Sequence, residues 1–119
     1  MRLALYQPDI PPNLGTLIRL GACLGVPLDV IEPCGFAFSD RALKRAALDY
    51  AAHATVVRHL SWPVYLQRRQ PGRLVLLTTK AERIYTGFAF APSDTLLLGR
   101  ESEGVPESIH AAADARVRV

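Results

Sequence analysis

The stretch that decides the fold is LALYQPDIPPNLGTLIRLGACL, residues 3–24. Its first four residues are apolar or aromatic and predict a short buried strand. The loop after them, residues 7–12, is expected to be non-helical, because proline removes backbone donors and restricts the residue before it. Asn13 is then the expected N-cap of a helix over about 14–24, which carries an apolar stripe. A strand that leads through a loop into an amphipathic helix is typical of the first unit of an α/β fold.

The same alternation continues along the rest of the chain. Short runs rich in apolar and β-branched residues predict further strands, and capping residues and prolines predict the helices between them. We expect strands at 28–31, 55–60, 74–77, 96–98 and 117–119, and helices at 39–48, 62–70 and 106–113. Continuous apolar strands alternating with helices indicate a mostly parallel sheet covered by helices on both faces. At 119 residues the chain has the length of a single domain.

Composition narrows the class of protein. Half of the residues are hydrophobic and 21% are charged, which indicates a globular core. The formal net charge of +3 and the pI near 9.2 favour a polyanionic partner mildly. No apolar run reaches the ~18 residues of a membrane span, and the N-terminus meets Gln7-Pro8 too early for a signal peptide. We therefore expect a cytoplasmic protein with no membrane partner.

Motifs of several common site classes are missing from the sequence. Cys23 and Cys34 have no C-x-x-C partner, so no metal is expected. There is no G-x-G-x-x-G after a strand, no G-x-x-x-x-G-K-[ST] loop and no G-x-S-x-G elbow. The histidines, His53, His59 and His110, lie far apart in the chain and are expected to be surface or packing residues.

Three predicted strands end in unusual loops. In an open parallel sheet, ligands bind at the carboxyl ends of the strands. The loops are 7–13, 76–80 and 98–106, and the last of them contains Gly99 and Gly104, which permit close backbone approach or a positive φ. Each loop alone is equally compatible with an ordinary connection.

Two groups of basic residues each have two interpretations. Arg19 lies in an otherwise apolar helix, where it is either a surface side chain reaching past the sheet or a functional group. Arg41, Lys44 and Arg45 share one face of the second predicted helix, at i, i+3 and i+4. That face is either merely solvated or a surface for RNA phosphates.

Taken together and in order, these segments resemble the SPOUT methyltransferases. Residues 6–20, YQPDIPPNLGTLIRL, are similar to the first motif of that superfamily, and residues 98–106, LGRESEGVP, to its second. Residues 31–36, 48–50 and 77–80 are similar to the subgroup that methylates the ribose of tRNA nucleotide 34. The resemblance covers the whole chain.

The resemblance implies a knotted α/β fold, S-adenosylmethionine as cofactor, tRNA as substrate and a homodimer. It implies three candidate catalytic residues: Arg19 as base or as orienting group, Asn13 to fix the first loop, and Glu101 to anchor the second. Glu101 is expected either to accept backbone N–H bonds or to pair with Arg19. The residues implied at the cofactor are Leu77, Thr78, Gly99, Glu101, Gly104 and Val119.

One part of the family pattern is not found in these residues. The family continues past the strand that corresponds to 116–119, with a third motif and a final helix that tie the knot. We therefore expect residues 1–119 to be a single SPOUT domain that is incomplete at its C-terminus. The alternative to the enzyme is a non-catalytic RNA-binding or dimerising remnant of the same fold. An unrelated nucleotide-binding α/β enzyme is disfavoured by the absent glycine motifs.

Overall fold

A computed structural model of the protein describes residues 1–35 and 55–119. The strands within these ranges are β1 Arg2–Tyr6, β2 Leu28–Ile31, β3 Val56–His59, β4 Leu74–Leu77, β5 Thr95–Leu98 and β6 Ala115–Val117. The helices are α1 Pro11–Leu24, α2 Trp62–Arg68 and α3 Glu107–Ala112, with a 3₁₀ turn at Tyr85–Gly87. The elements alternate as predicted.

The six strands form one sheet in the order β3-β2-β1-β5-β4-β6. Every strand pair is parallel, which confirms the predicted sheet type. Successive strands add outward from β1 toward β3, and the chain then returns to place β5 on the other side of β1. The strands β1 and β5 are neighbours, and the chain leaves them toward opposite edges of the sheet. Sheets of α/β proteins form their ligand crevice at such a point.

The core lies on both faces of the sheet. On one face, α1 packs Leu14 and Ile18 against Leu28 and Val30 of β2. On the other, Tyr65 of α2 and Ile109 of α3 pack in a cluster with residues of the central strands, namely Ala4, Tyr6, Ile31, Leu74, Leu76 and Leu97. Helices thus cover both faces, as the continuous apolar strands predict.

The start of α1 differs from the prediction. Pro11 and Pro12 are the first residues of the helix, and Ile10 is its N-cap, without a side-chain capping bond. Asn13 lies in the first turn and is exposed, so its predicted capping role was wrong. Proline is tolerated at these positions because the first helical N–H groups have no intrahelical acceptor, and its fixed φ suits a helix.

The last strand begins and ends two residues earlier than predicted. The last strand is Ala115–Val117, and Val119, predicted to be within it, is 83% exposed. The backbone N–H of Asp114 donates to Leu74 O at 2.8 Å, which starts the pairing with β4 earlier than the apolar pattern suggests.

The helix predicted from Pro106 begins one residue later than expected, because Pro106 is the N-cap of α3 and not its first residue. The helix predicted at 39–48, with Arg41, Lys44 and Arg45, lies outside the described residues.

Two buried aspartates form ion pairs that join neighbouring strands of the sheet. Asp94, which is fully buried, accepts bonds from Arg73 Nε at 2.9 Å and Nη2 at 2.7 Å. The bond from Arg73 is the main reason that the pKa of Asp94 lies below its usual value. Asp29 of β2 is held by Arg2 and His59. Within residues 1–35 and 55–119, no helix is long and apolar enough to cross a membrane.

Candidate functional site

The loops after β1 and β5 are bonded to each other. The backbone N–H of Asp9 donates to Glu101 Oε2 at 3.2 Å, and the Ser102 hydroxyl donates to Asp9 Oδ2. Arg100 donates from Nη2 to Gln7 Oε1. Residues about 92 positions apart in the chain therefore form a single structure at the switch point of the sheet.

Gln7, the first residue after β1, has a backbone that L-residues rarely adopt. Its φ is +43°, whereas its neighbours on the strand are extended. The conformation is held from both sides, because Gln7 N donates to Ile31 O at 2.8 Å while its side chain accepts from Arg100. A non-glycine residue at positive φ costs energy and tends to occur at ligand sites.

The loop after β5 closes on itself through two glycines. Arg100 N donates to Gly104 O at 3.0 Å, and Gly104 N donates back to Arg100 O at 2.8 Å. A Cβ added to Gly99 would lie 2.6 Å from the carbonyl carbon of Gly104, so no larger residue fits there. Gly104 has a φ of +69°, which a glycine adopts without strain. The residue types at both positions are set by this turn.

A cavity of about 520 Å³ lies between the ends of β4 and β5. It is within the size range of small-molecule sites, about 300–1,000 Å³. The six residues predicted to bind the cofactor all line it: Leu77, Thr78, Gly99, Glu101, Gly104 and Val119. Their role stays a prediction, but the structure brings them to one place.

The lining suits a nucleoside attached to a charged chain. Leucines from both strands and Val105 supply apolar walls. Polar groups surround these walls, including the hydroxyls of Thr78 and Thr79 and the carboxylate of Glu101. Gly99 leaves the space that a side chain would fill. Such a cavity can pack against the faces of an adenine and bond its edge.

Several lining residues were not among the predicted site residues. Lys80, Arg100, Ser102 and Glu103 come from the two polar loops, and His110 comes from α3. The Nε2 atom of His110 is buried and has no hydrogen-bond partner among the described residues. Placing His110 here requires knowing how α3 packs, and its position in the sequence carries no such signal.

A second cavity, of about 320 Å³, lies on the other side of the loop after β5. It shares Arg100, Ser102 and Glu103 with the first cavity and is closed by Gln7, Asp9 and the 33–35 turn. The pKa of Asp9 is lowered, first by a side-chain hydrogen bond with Glu101 and then by the Ser102 hydroxyl. Burial raises the pKa of the Cys34 thiol to about 11, so this cysteine is a thiol at neutral pH. The loop after β5 thus separates two spaces.

The structure does not bring all the predicted catalytic residues together. Glu101 reaches the loop after β1 by accepting the backbone N–H of Asp9, the first of its two expected roles. Arg19 is half-buried in the middle of α1, and within residues 1–35 and 55–119 it forms no ion pair with Glu101 and does not line the cavity between β4 and β5. Asn13 is exposed in the first turn.

Among the described residues, no group of three metal-ligating side chains is found. The parallel six-stranded sheet, the bonded loops at its switch point and the cavity beside them agree with the resemblance of the sequence to the SPOUT methyltransferases. The whole chain, residues 1–119, matches the SpoU rRNA methylase family, and the protein belongs to that family.

Named relatives specify the resemblance further. The chain is 56% identical over 117 residues to a tRNA (cytidine(34)-2'-O)-methyltransferase of Beijerinckia indica, covering 97% of this chain and 73% of the relative. A solved structure described as giving insights into the 2-OH methylation of C/U34 on tRNA superposes with a TM-score of 0.90 at 38% identity. That match covers 99% of this chain and 78% of the other.

A more distant structure supports the fold alone. The AdoMet-bound rRNA methyltransferase of Sinorhizobium meliloti has a TM-score of 0.83 at 23% identity, and the match covers 99% of this chain and 46% of that one.

Proposed function

We propose that this protein transfers a methyl group from S-adenosylmethionine to the ribose 2'-hydroxyl of tRNA nucleotide 34. The observation that carries the proposal is the cavity beside the bonded loops, in a chain 56% identical to a relative with that name. The family description mentions rRNA. We favour tRNA because the relative with 56% identity is named for it.

S-adenosylmethionine supplies an electrophilic methyl group on a sulfonium. The chain must position the ribose and assist loss of the hydroxyl proton, because a neutral hydroxyl is a weak nucleophile. The bonds between Asp9, Glu101 and Ser102 hold the two loops in one arrangement, which suits a reaction that depends on alignment. Thr78 and Gly104 both line the cavity and would contact the cofactor.

Arg19 is the proposed catalytic group, as a base or as the group that orients the ribose. Arginine rarely gives up its proton, so orientation and stabilisation of the developing alkoxide are equally open to it. We also propose a homodimer in which a second copy covers α1. Leu20 and Leu24, one turn apart on that helix, are 46% and 65% exposed, and an uncovered apolar face of this kind favours association.

The remaining proposals rest on the sequence. Arg41, Lys44 and Arg45 are proposed to contact RNA, as a basic face of the second predicted helix. The protein is proposed to act in the cytoplasm, where tRNA is available. Residues 1–119 are proposed to be one domain of a fold to which the family adds a third motif.

Methyl transfer can be measured directly. The protein is incubated with S-adenosylmethionine carrying a tritiated methyl group and with tRNA transcripts that have cytidine or uridine at position 34. We expect label in the RNA, and we expect the bond after nucleotide 34 to resist alkali, because alkaline cleavage needs a free 2'-hydroxyl. A transcript with 2'-deoxycytidine at position 34 is the matched control and should take up no label.

The outcomes separate the enzyme from its alternative. Label that persists in the deoxy transcript places the target elsewhere and contradicts the assignment of position 34. Tight binding of tRNA with no transfer under any condition favours the non-catalytic remnant.

The cavity yields a prediction about two glycines. Gly99→Ala should weaken S-adenosylmethionine binding at least ~10-fold, the effect of about 1.4 kcal/mol, because its Cβ meets the backbone of Gly104. Gly104→Ala should weaken binding by less than ~10-fold, because the strain of a left-handed alanine, about 1–2 kcal/mol, falls partly on the order of the loop and only partly on binding. Titration calorimetry on both variants measures the affinities.

Gly87→Ala is the matched control, since a Cβ there meets no atom within 4 Å. Its affinity should equal that of the parent protein. If Gly99→Ala binds the cofactor as tightly as Gly87→Ala does, the cavity between β4 and β5 is not the cofactor site.

A further inference from the structure

An excess of positive charge lies at the β4–β6 end of the sheet. Lys80, Arg83, Arg116 and Arg118 are all exposed there. We call these four residues the β6 basic surface. A surface hollow beside them is lined by Lys80, Arg83 and Arg116, and the acidic residue that lines it is Glu82. The five residues together carry +3, which equals the formal charge of the whole chain, so the remaining ten cations and ten carboxylates balance.

The cations of the β6 basic surface are not neutralised, in contrast to four other arginines of the described residues. Arg2, Arg58, Arg73 and Arg100 each have a carboxylate oxygen within 3.0 Å. Within residues 1–35 and 55–119, no ion pair involves a member of the β6 basic surface. Cations without a carboxylate are available to an anionic partner, because no ion pair has to be broken first.

Backbone hydrogen bonds place the segments that carry these cations side by side, and the guanidinium of Arg116 is itself bonded. Arg118 N donates to Arg83 O at 2.8 Å, and Tyr85 N donates to Arg118 O at 2.8 Å, so the two arginines lie on adjacent paired segments. Arg116 donates from Nη1 to His110 O at 2.7 Å, which fixes its guanidinium at the end of α3. Tyr85 is 47% exposed beside them. Fixed cations with an exposed aromatic ring are typical of surfaces that hold unpaired nucleotides.

The β6 basic surface adjoins the cavity between β4 and β5, the proposed cofactor site. Lys80, Arg83 and Arg116 line a hollow of about 370 Å³ with Phe88 and His110. Lys80 and His110 also line the cavity between β4 and β5. A strand that presents its ribose at that cavity therefore passes close to these cations.

We propose that the β6 basic surface binds the phosphates of the RNA strand that flanks the methylated nucleotide. The proposal rests on the proposed function and adds a second contact area to it. This area belongs to the β6 edge of the sheet, and its residues are not those of the predicted basic helix face, Arg41, Lys44 and Arg45, which lie outside the described residues. It acts by holding the substrate, so loss of Arg83 and Arg118, which do not line the cavity between β4 and β5, should raise KM for RNA and leave kcat and cofactor affinity unchanged.

The test compares two double variants with equal loss of charge. Arg83→Gln/Arg118→Gln removes two members of the surface, whereas Arg58→Gln/Arg68→Gln removes two arginines at the opposite, β3 edge of the sheet. Binding of a fluorescein-labelled anticodon stem-loop RNA is followed by anisotropy over a range of salt concentrations. The first variant should lose about 1.4–1.8 from the slope of log K against log salt, since each phosphate contact contributes about 0.7–0.9.

The slope of log K against log salt for the control should differ from that of the parent protein by less than half the contribution of one phosphate contact. Equal slopes for both variants would overturn the β6 basic surface, provided the parent still methylates the RNA; a parent that binds no RNA and transfers no methyl group refutes the proposed function instead. Thermal unfolding checks that the first variant folds. If it does not, Arg83→Gln and Arg118→Gln as single variants, each expected to lose about 0.7–0.9, give the same decision.

Discussion

Replacing Arg19 with alanine is expected to lower methyl transfer by a factor of ~10²–10⁴, the range for a positioned group that assists proton transfer. Arg19 is half-buried on α1, the helix that begins at the first motif loop, and no carboxylate neutralises it among the described residues. A half-buried guanidinium that no carboxylate neutralises is available to orient an oxygen of the substrate. Single-turnover transfer to the tRNA transcript measures the loss.

Two further measurements separate chemistry from structure. The affinity for S-adenosylmethionine should be unchanged, because Arg19 does not line the described cavity between β4 and β5, and the melting temperature should shift little. Arg19→Lys keeps the charge but loses the planar fork, and it should recover only part of the rate. An Arg19→Ala enzyme with the parent rate contradicts the catalytic assignment.

Glu101 offers a useful comparison with Arg19. Its carboxylate accepts the backbone N–H of Asp9 and lines the cavity, so Glu101→Ala should weaken cofactor binding as well as transfer. A fall in rate without a fall in affinity is therefore expected for Arg19 and not for Glu101.

The alternation of strands and helices was predictable because burial on both faces of a parallel sheet leaves continuous apolar runs. The order of the strands was not predictable from those runs. Placing β5 beside β1 depends on contacts between residues more than 90 positions apart, such as Arg2 with Thr95. The meeting of the loops after β1 and β5 follows from that placement.

The first turn of α1 shows where a local rule was misapplied. The two prolines were taken to exclude helix, yet at the first two helical positions the missing N–H groups have no intrahelical acceptor to lose. Asn13 was then given a capping role that the earlier start removes. Here the sequence contained the right signal, and its interpretation was wrong.

The residues around the cofactor cavity were predicted by resemblance to a family. Taken alone, the loop at 76–80 has only a weak pattern, and its pairing with the loop after β5 became visible in the structure. The Asp29 network escaped prediction for a similar reason. Arg2, Asp29 and His59 lie on three different strands, and nothing in their spacing indicates that the sheet brings their side chains together.

Replacing Asp29 with leucine is expected to destabilise the fold by about 3–5 kcal/mol, the cost of leaving buried partners of an ion pair unmatched. The Asp29 carboxylate is 6% exposed and accepts from Arg2 Nε at 2.9 Å and Nη2 at 3.0 Å. The side chain of His59 is 4% exposed, and its Nε2 lies 2.9 Å from Asp29 Oδ1. The bond with Asp29 is also the main cause that raises the pKa of Arg2.

The size of the effect follows from what remains after the change. Leucine fills much of the space of aspartate but offers no acceptor, so the partly buried guanidinium of Arg2 and the buried imidazole of His59 lose their partner. Urea unfolding should show the loss in the free energy of unfolding. Thermal unfolding should show a fall in melting temperature of more than ~10 °C for a domain of this size. Asp29→Asn keeps one oxygen and should cost less, and Glu107→Gln, at an exposed position, should change stability by less than ~0.5 kcal/mol.

A second substitution tests the cause. If the penalty comes from unmatched partners, then Arg2→Met in the Asp29→Leu background should recover part of it, because replacing a buried pair by apolar groups of similar size is often neutral. If the cost instead comes from poor packing of leucine in β2, the double variant will be no more stable than Asp29→Leu alone. An Asp29→Leu protein as stable as Glu107→Gln would show that the network adds nothing to the fold, and that the three strands are held by their backbone bonds and apolar faces.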